Sequence, residues 1–587
     1  MTRFLIILTV VTVVTVGLAE SAYAQAPDIY VDEDFSDWDA RAPLHTDPQD
    51  QPGGGIDFGR LWVDNDDRFL FLSIEVGVEE ISIQNGSCIT LFLDTDNDPS
   101  TGQQAAGLGA ELVWVFGARS GTFTSGGNTV QIDHDDIGLT PAPTVTSLQF
   151  ELALDLDAEP RRLGVLFPSD TVGIAFEVTD GLDVIPDAGQ NIRYVIDREE
   201  PERLYDFDLG REHDSDLRIL SWNVERDGIF EAGRASAYRR LMTGIGPDII
   251  GFTEIREHTA VQTLDLVESF LPSDAGEQWF GSGSSFDVIV TSRYEILRAF
   301  DLLRGSAGAY LIDTSDKIGT DLFLIVAHLR CCEADLARQA QIDELMAFVR
   351  DVQGDGTLTS ETPIVIAGDM NFVGDSRQQG TLIRGEIVNP QHKPSFGPDW
   401  DGSPLGDARP LTTGLPATYT WPGRGEEFSP GRLDYVAFTD FVLELGNSYS
   451  LNTPTIPIAE LTRLGMSASD TIVASDHNPI VTDFRNMSPT AVESDRSVPG
   501  SLADIVAYPN PSTGSFHLRF DADLIESLEL DVVDILGRQV ASVTHGVRSP
   551  GVQDVLLSLE DLPAGVYLVE LKSASNSVTT SIVVRGR

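Results

Sequence analysis

Six stretches of the chain end or begin an apolar run on residues that can bind a cation or move a proton. RILSWNVE carries Asn223 and Glu225, PDIIGFTEIRE carries Glu254, and LFLIVAHLR carries His328. PIVIAGDMNF leads into Asp369 and Asn371, GRLDYVAF carries Asp434 at its entry, and ASDHNPIV carries Asp476 and His477. Taken singly, a histidine after a strand is an ordinary structural residue, and Gly-Asp-x-Asn is an ordinary turn. Taken together, they supply the hard carboxylate and carboxamide oxygens that suit Mg2+. An Asp–His pair can handle a nucleophilic water, and a bound metal bears the charge that builds on phosphate oxygens. This is the equipment of metal-assisted phosphoester hydrolysis.

The elements that must position these residues are legible as well. Apolar runs over 217–221, 249–253, 322–328, 364–368, 433–438 and 480–484 read as strands and alternate with helical patterns. The clearest helix is expected over 334–350, with Leu336, Ala340, Leu345, Phe348 and Val349 on its apolar side. Residues 216–485 therefore read as an α/β block whose sheets offer polar groups to a cleft at their strand ends.

In the order of its motifs this block resembles the endonuclease/exonuclease/phosphatase superfamily. That superfamily includes DNase-I-like nucleases, abasic-site endonucleases, inositol-polyphosphate phosphatases and bacterial sphingomyelinases. The resemblance implies a central α/β four-layer (α-β-β-α) sandwich. It also implies Glu254 as the principal Mg2+ ligand, with Mn2+ or Ca2+ as alternatives, and Asn223 beside metal and phosphate. Asp476 would complete the metal shell, and Glu225 stands where the abasic-site branch has Asp. Asp369 and Asn371 would orient the water and the phosphoryl oxygens. His477 would be the general base or polarise phosphate, fixed by Asp434, and His328 would stabilise the transition state or protonate the leaving oxygen. Met370 departs from the family's usual aromatic. Arg330 and Arg432 would contact phosphate or simply lie at the surface, and Tyr419 and Trp421 would stack on a base or headgroup or pack internally.

Two flanking blocks have a different texture. Over 28–205, short strands alternate with Asp-, Asn- and Gly-rich turns, without an amphipathic helix, which argues an all-β sandwich. FSDWD, RLWVDNDDRFLFLSIEV and TLFLDTDNDPSTG resemble family-9-type carbohydrate-binding and related sugar- or haem-binding sandwich modules. The resemblance implies a polysaccharide partner, for which Trp38, Trp62 or Trp114 would have to be exposed rather than core. Asp94, Asp96 and Asp98 have a spacing that suits Ca2+, but Pro99 and Ala105 stand where an EF-hand needs Gly and Glu. An EF-hand is excluded, and a looser Ca2+ loop and a solvated acidic turn stay open. Over 505–587, alternating strands separated by Gly and Pro turns argue a small β-sandwich. YPNPSTG, DILGRQV, LPAGVYLVEL and the terminal VVRGR resemble the sorting domain of type IX secretion cargo. This implies the type IX secretion machinery as partner. Residues 486–504, rich in Ser, Pro and charge, read as the linker.

At the start of the chain, Arg3, the apolar run 4–18 and Ala22-Tyr23-Ala24 read as a secretory signal peptide over 1–24. No later run is long enough to span a bilayer, so an exported mature chain without a transmembrane segment is expected. The balance 39 − 92 = −53 excludes a binder that grips a nucleic-acid backbone through a basic face. Saline adaptation and ordinary acidic secretion both account for that charge. Three cysteines cannot form a disulfide framework; Cys331 and Cys332 are adjacent and Cys88 lies far away, which leaves a vicinal disulfide, a long-range pair and buried free thiols open. The reading that results is a secreted Mg2+-dependent phosphodiester hydrolase, a nuclease or phosphodiesterase. Its alternatives are a phospholipase-C- or sphingomyelinase-like enzyme, a phosphomonoesterase, and a glycan-binding surface protein with a degenerate catalytic block.

Overall fold

A computed structural model describes residues 28–48, 55–77, 79–179, 183–187, 189–200, 208–283, 287–487 and the strands of 502–584. The expected signal peptide and residues 488–501 of the expected linker lie outside the described residues. The chain divides into two compact units, Met1–Thr490 and Ala491–Arg587. Among the described residues no helix is long and apolar enough to cross a membrane.

The first unit begins with two antiparallel sheets. One contains Arg60–Asn65, Phe69–Glu75 and Gln149–Asp155; the other contains Thr171–Val178, Ile89–Asp94, Leu112–Val115, Ser120–Ser125 and Asn128–Ile132. Alternation along each strand sends Leu70, Leu72 and Ile74 into the same core as Leu91, Leu93, Trp114 and Phe176. This is the sandwich expected from the sequence. Its outer face is also covered, because Phe69 and Phe71 pack with Ile29, Val31 and Trp38 and with Ala417 and Tyr419 far along the chain. Trp38, Trp62 and Trp114 are 2%, 6% and 1% exposed, so none of the three offers a platform to a sugar. The same packing corrects the stacking role considered for Tyr419, which is 9% exposed.

The α/β block contains a seven-stranded and a six-stranded mixed sheet. In the first, Leu217–Asn223 pairs parallel to Ile249–Ile255 and antiparallel to Ile480–Asn486. In the second, Leu322–His328 pairs parallel to Ile364–Asp369, which pairs antiparallel to Asp434–Phe438. Strand residues of both sheets, among them Ile219, Ile249, Val290, Leu324, Val365 and Val436, share one apolar cluster. The other side of the first sheet packs on helix Ala235–Ile245 through Tyr238, Leu241 and Met242. The other side of the second packs on helix Asp335–Gly354 through Ile342, Leu345, Met346 and Val349. At roughly 1.5–3 kcal/mol for each large side chain removed from water, these clusters dominate the block's stability. Leu336, expected on the apolar side of the helix, is 89% exposed. It sits in the first turn, one residue beyond the helix start, before the packed stretch begins.

In the second unit, Leu502–Tyr508, Ser515–Ala522 and Gly551–Ser558 form one antiparallel sheet. Ser527–Asp534, Gln539–Gly546, Gly565–Lys572 and Ser577–Val584 form the other. Phe516, Leu518, Leu530, Val569 and Ile582 belong to its core.

Candidate active site

Parallel pairing aligns the carboxyl ends of neighbouring strands, so polar residues that follow each apolar run collect along one edge. Asn223 lies opposite Thr253, next to Glu254, while His328 lies opposite Asp369 and Asp369 opposite Asp434. Asn223 joins the two sheets: its Nδ2 donates to Asp369 Oδ2 at 2.9 Å and lies 3.5 Å from Glu254 Oε1. Glu254 adopts φ +66°, a left-handed conformation that costs a non-glycine residue free energy, at an irregularity in the pairing with Asp287–Ser292. That twist leaves Glu254 Oε2 accepting from Arg226 N at 2.9 Å. Gly368 has φ +129°, and a Cβ there would stand 2.1 Å from the Ala327 carbonyl oxygen. Only glycine lets the Asp369 strand run this close to its neighbour.

Two imidazoles face the same carboxylate. His477 Nδ1 pairs with Asp434 Oδ2 at 2.8 Å, and its Nε2 stops 3.8 Å from Asp369 Oδ2. His328 Nδ1 pairs with Asp287 Oδ2 at 2.8 Å, and its Nε2 lies 3.7 Å from Asp369 Oδ2 and 3.9 Å from Glu254 Oε1. In each ring one nitrogen is fixed by a carboxylate, while the other lies beyond hydrogen-bonding distance of the central acids. Thr420 Oγ1 donates to Asp434 Oδ2 at 2.7 Å and accepts from Asp434 N and Leu433 N, so the dyad is itself held from behind.

The electrostatics follow from burial and from these partners. Burial disfavours charge on His477, but the Asp434 and Asp369 carboxylates prevail and lift it to about 10. His328 is likewise raised: burial opposes its charge, and Asp287, Asp369 and Glu254 more than offset that. Burial pushes Asp369 up to about 6, against the pull of both histidines and Asn223. His477 is therefore cationic at neutral pH and His328 is biased towards its cationic form, so both counterbalance the acids of the cleft.

Asn223, Glu254, His328, Asp369, Asp434 and His477 come together as their spacing suggested. Asn371 is close behind: its N donates to Asp369 Oδ1 at 3.0 Å and its Nδ2 to the Leu329 carbonyl at 3.1 Å, which braces Asp369 from inside. Glu225 instead pairs with Arg234 Nη1 at 2.5 Å, and Asp476 is exposed, linked through Ser475 Oγ at 3.3 Å. Arg432 is 2% exposed, paired with Glu33 and Asp407 and stacked 3.9 Å from the Tyr435 ring centroid, which rules out phosphate contact. Arg330 stays exposed. Asp287 and Thr420 escaped the sequence reading. Asp287 opens an apolar strand and had the same strand-end signal, whereas Thr420 has no local one and reaches Asp434 only through the fold.

Asp369, Asp434 and His477 offer ligand-type atoms within 4.8 Å of one another. Asp434 and His477 spend an oxygen and a nitrogen on each other, so the hard oxygens best placed for a cation are those of Glu254, beside Asn223. That donor chemistry fits Mg2+.

Facing sheets with carboxylates and carboxylate-fixed imidazoles at one edge have the form of a phosphoesterase hydrolase. Residues 220–477 match the Endonuclease/Exonuclease/phosphatase family, and residues 506–585 match the Secretion system C-terminal sorting domain. The chain thus carries a hydrolase domain of that family and a sorting domain that directs export to the cell surface or beyond. No curated protein matches it in sequence. Among solved structures, truncated Caenorhabditis elegans TDP2 is similar at 15% identity and TM-score 0.30, covering 46% of this chain and 98% of that one. An endonuclease/exonuclease/phosphatase from Beutenbergia cavernae is similar at 16% and TM-score 0.31, covering 62% and 100%. Staphylococcus aureus beta toxin is similar at 16% and TM-score 0.27, covering 46% and 99%.

Proposed function

We propose that this protein is an exported, Mg2+-dependent phosphodiesterase, with nucleic acid or nucleotides as its substrates, acting by in-line attack of water. The observation that carries the proposal is the convergence of His477 and His328, each fixed by its own carboxylate, on Asp369. The four-layer α-β-β-α arrangement belongs to the same reading and is supported by the apolar cluster shared between the two sheets. So does the division into an N-terminal sandwich, a catalytic block and a sorting domain, the last removed after export.

Glu254 and Asn223 would hold Mg2+, which neutralises charge developing on the phosphoryl oxygens. His477, held protonated near neutral pH, donates a hydrogen bond to a phosphoryl oxygen in the phosphate-polarising role. Asp369, with a pKa of about 6, orients the attacking water and takes its proton, the value a base working near neutrality needs. Asn371 keeps that carboxylate in place. His328, its pKa raised with the help of Asp287, gives its Nε2 proton to the leaving oxygen. No covalent enzyme intermediate forms.

The test is the purified full chain with Mg2+ on plasmid DNA, bis-p-nitrophenyl phosphate, sphingomyelin and a phosphomonoester. Turnover of the first two is expected. Exclusive turnover of sphingomyelin or of the monoester would replace the substrate assignment, and no turnover at all would remove the enzyme.

A further inference from the structure

The Ile89–Asp94 strand of the N-terminal sandwich runs into a turn that is short of hydrogen-bond donors. Asp94 is fully buried, yet its Oδ1 has no hydrogen-bond partner. Its Oδ2 faces the Arg193 guanidinium at 3.5 Å, and the Asn97 backbone N–H also leans on this carboxylate. Asp94, Asp96 and Glu111 bring carboxylate oxygens within 4.8 Å of one another. Beside them the Thr101 hydroxyl faces Asp96 Oδ1 and Oδ2, the Asp98 carbonyl and Glu111 Oε1 at 3.1, 3.0, 2.9 and 2.8 Å. One hydroxyl proton serves one of these four acceptors. Glu111 Oε2 is occupied by Thr95 N at 3.0 Å. Burial lifts the Asp94 and Glu111 carboxyls above their ordinary range, as expected for carboxylates gathered without enough positive charge.

The backbone keeps this group together. Gly102 has φ +61°, and a Cβ there would fall 2.3 Å from the Ala110 carbonyl oxygen and 2.7 Å from Glu111 Oε1. The turn therefore lies directly on the chain leading into Glu111. Asp98, grouped with Asp94 and Asp96 by sequence spacing, instead uses its Oδ1 to accept from Ser100 N and Ser100 Oγ. Glu111, thirteen residues further on, takes the third place.

We propose that Asp94, Asp96 and Glu111 bind one Ca2+ ion, which ties the turn to the sandwich. The donors are oxygens only, without the imidazole or thiolate that zinc favours. Carboxylates and a hydroxyl gathered on an irregular turn suit the flexible, oxygen-only coordination of Ca2+, whereas Mg2+ demands a near-ideal octahedron and keeps several waters. The unpartnered Asp94 Oδ1 and the surplus acceptors around Thr101 are the oxygens such an ion would satisfy.

The experiment is calorimetric titration of CaCl2 into the chelated full chain carrying Glu254→Ala, so that the cleft does not contribute. One Ca2+ per chain is expected, with a Kd of about 10⁻³ M or tighter. In the same background Glu111→Gln and Asp96→Asn should each weaken binding by about tenfold or more, with near-UV circular dichroism unchanged. If Glu111→Gln fails to fold, Asp96→Asn, on the half-buried turn, decides the matter. Absence of Ca2+ uptake by Glu254→Ala, unchanged affinity in Asp96→Asn, or equally tight uptake of MgCl2 would overturn the proposal.

Discussion

The first unit gathers carboxylates in two places and treats them differently. At the strand ends of the α/β block, Asp369 and Asp434 face His477, and His328 stands between Asp287, Glu254 and Asp369. In the sandwich, Asp94 is paired with Arg193, while Asp96 and Glu111 face backbone N–H groups and the Thr101 hydroxyl. Each place contains a buried carboxylate oxygen without a hydrogen-bond partner, Asp434 Oδ1 in one and Asp94 Oδ1 in the other. In the cleft two imidazoles, both biased towards their charged form, leave a nitrogen directed at the central acid. In the sandwich no titratable cation answers the acids, and the acceptor surplus is left for an ion. A cluster of acids thus becomes a place for chemistry when its counter-charges are protons that can move. It becomes a candidate structural ion site when those charges are missing.

The comparison is broken most directly at its strongest point. His477→Ala or Glu254→Ala should lower kcat/KM on bis-p-nitrophenyl phosphate by about 10²–10⁴-fold, and EDTA should abolish turnover. Glu111→Gln should leave kcat/KM within about twofold, since the two places share no partner. Equal losses from both kinds of substitution would erase the distinction.

A smaller effect separates the two dyads of the cleft. Asp287→Asn should reduce turnover by about 10–100-fold by releasing His328 and lowering its pKa, seen as an earlier loss of rate on the alkaline side of the pH profile. An unaltered profile would make Asp287 merely structural. Thr420→Val removes a hydroxyl that donates to Asp434 and accepts two backbone N–H groups, at a cost of about 1–3 kcal/mol in denaturant unfolding.

The mildest test is pH. The folded pKa of His477, about 10, lies above its ordinary 6.5, so protonation stabilises the fold. In chelated protein that contribution is complete below about pH 6.5 and fades as pH rises through about 10. His477→Gln should flatten the stability profile across this window, and an unchanged slope would reject the assignment.

How much of this was readable in advance differs by feature. The apolar runs and the polar residues at their ends fixed the α/β texture and six of the gathered residues, because strand-end chemistry is local. Glu225 carried the same local signal, and tertiary contact turned it to Arg234. Trp62 and Trp114 lie within strand patterns, and nothing in a period-2 pattern says that both faces of a sheet will be covered. The N-terminal segment and the 411–421 loop cover the second face, which buries Trp62 and Tyr419. Arg432 looked like a surface cation and is sealed between Asp407, 25 residues before it, and Glu33, 399 residues before it.

By itself, the sequence determined the kinds of block, the family resemblances of the catalytic and sorting segments, and the residue types that metal-assisted hydrolysis needs. These depend on short-range periodicity and composition. Only the tertiary structure decided which carboxylate fixes which imidazole, that Asp287 and Thr420 belong to the cleft, and that Glu111 rather than Asp98 completes the acidic turn. Those pairings join residues 10 to 43 positions apart along the chain. Hydrogen-bond geometry over such separations is set by strand register and turn conformation, and neither is encoded in any one stretch of residues.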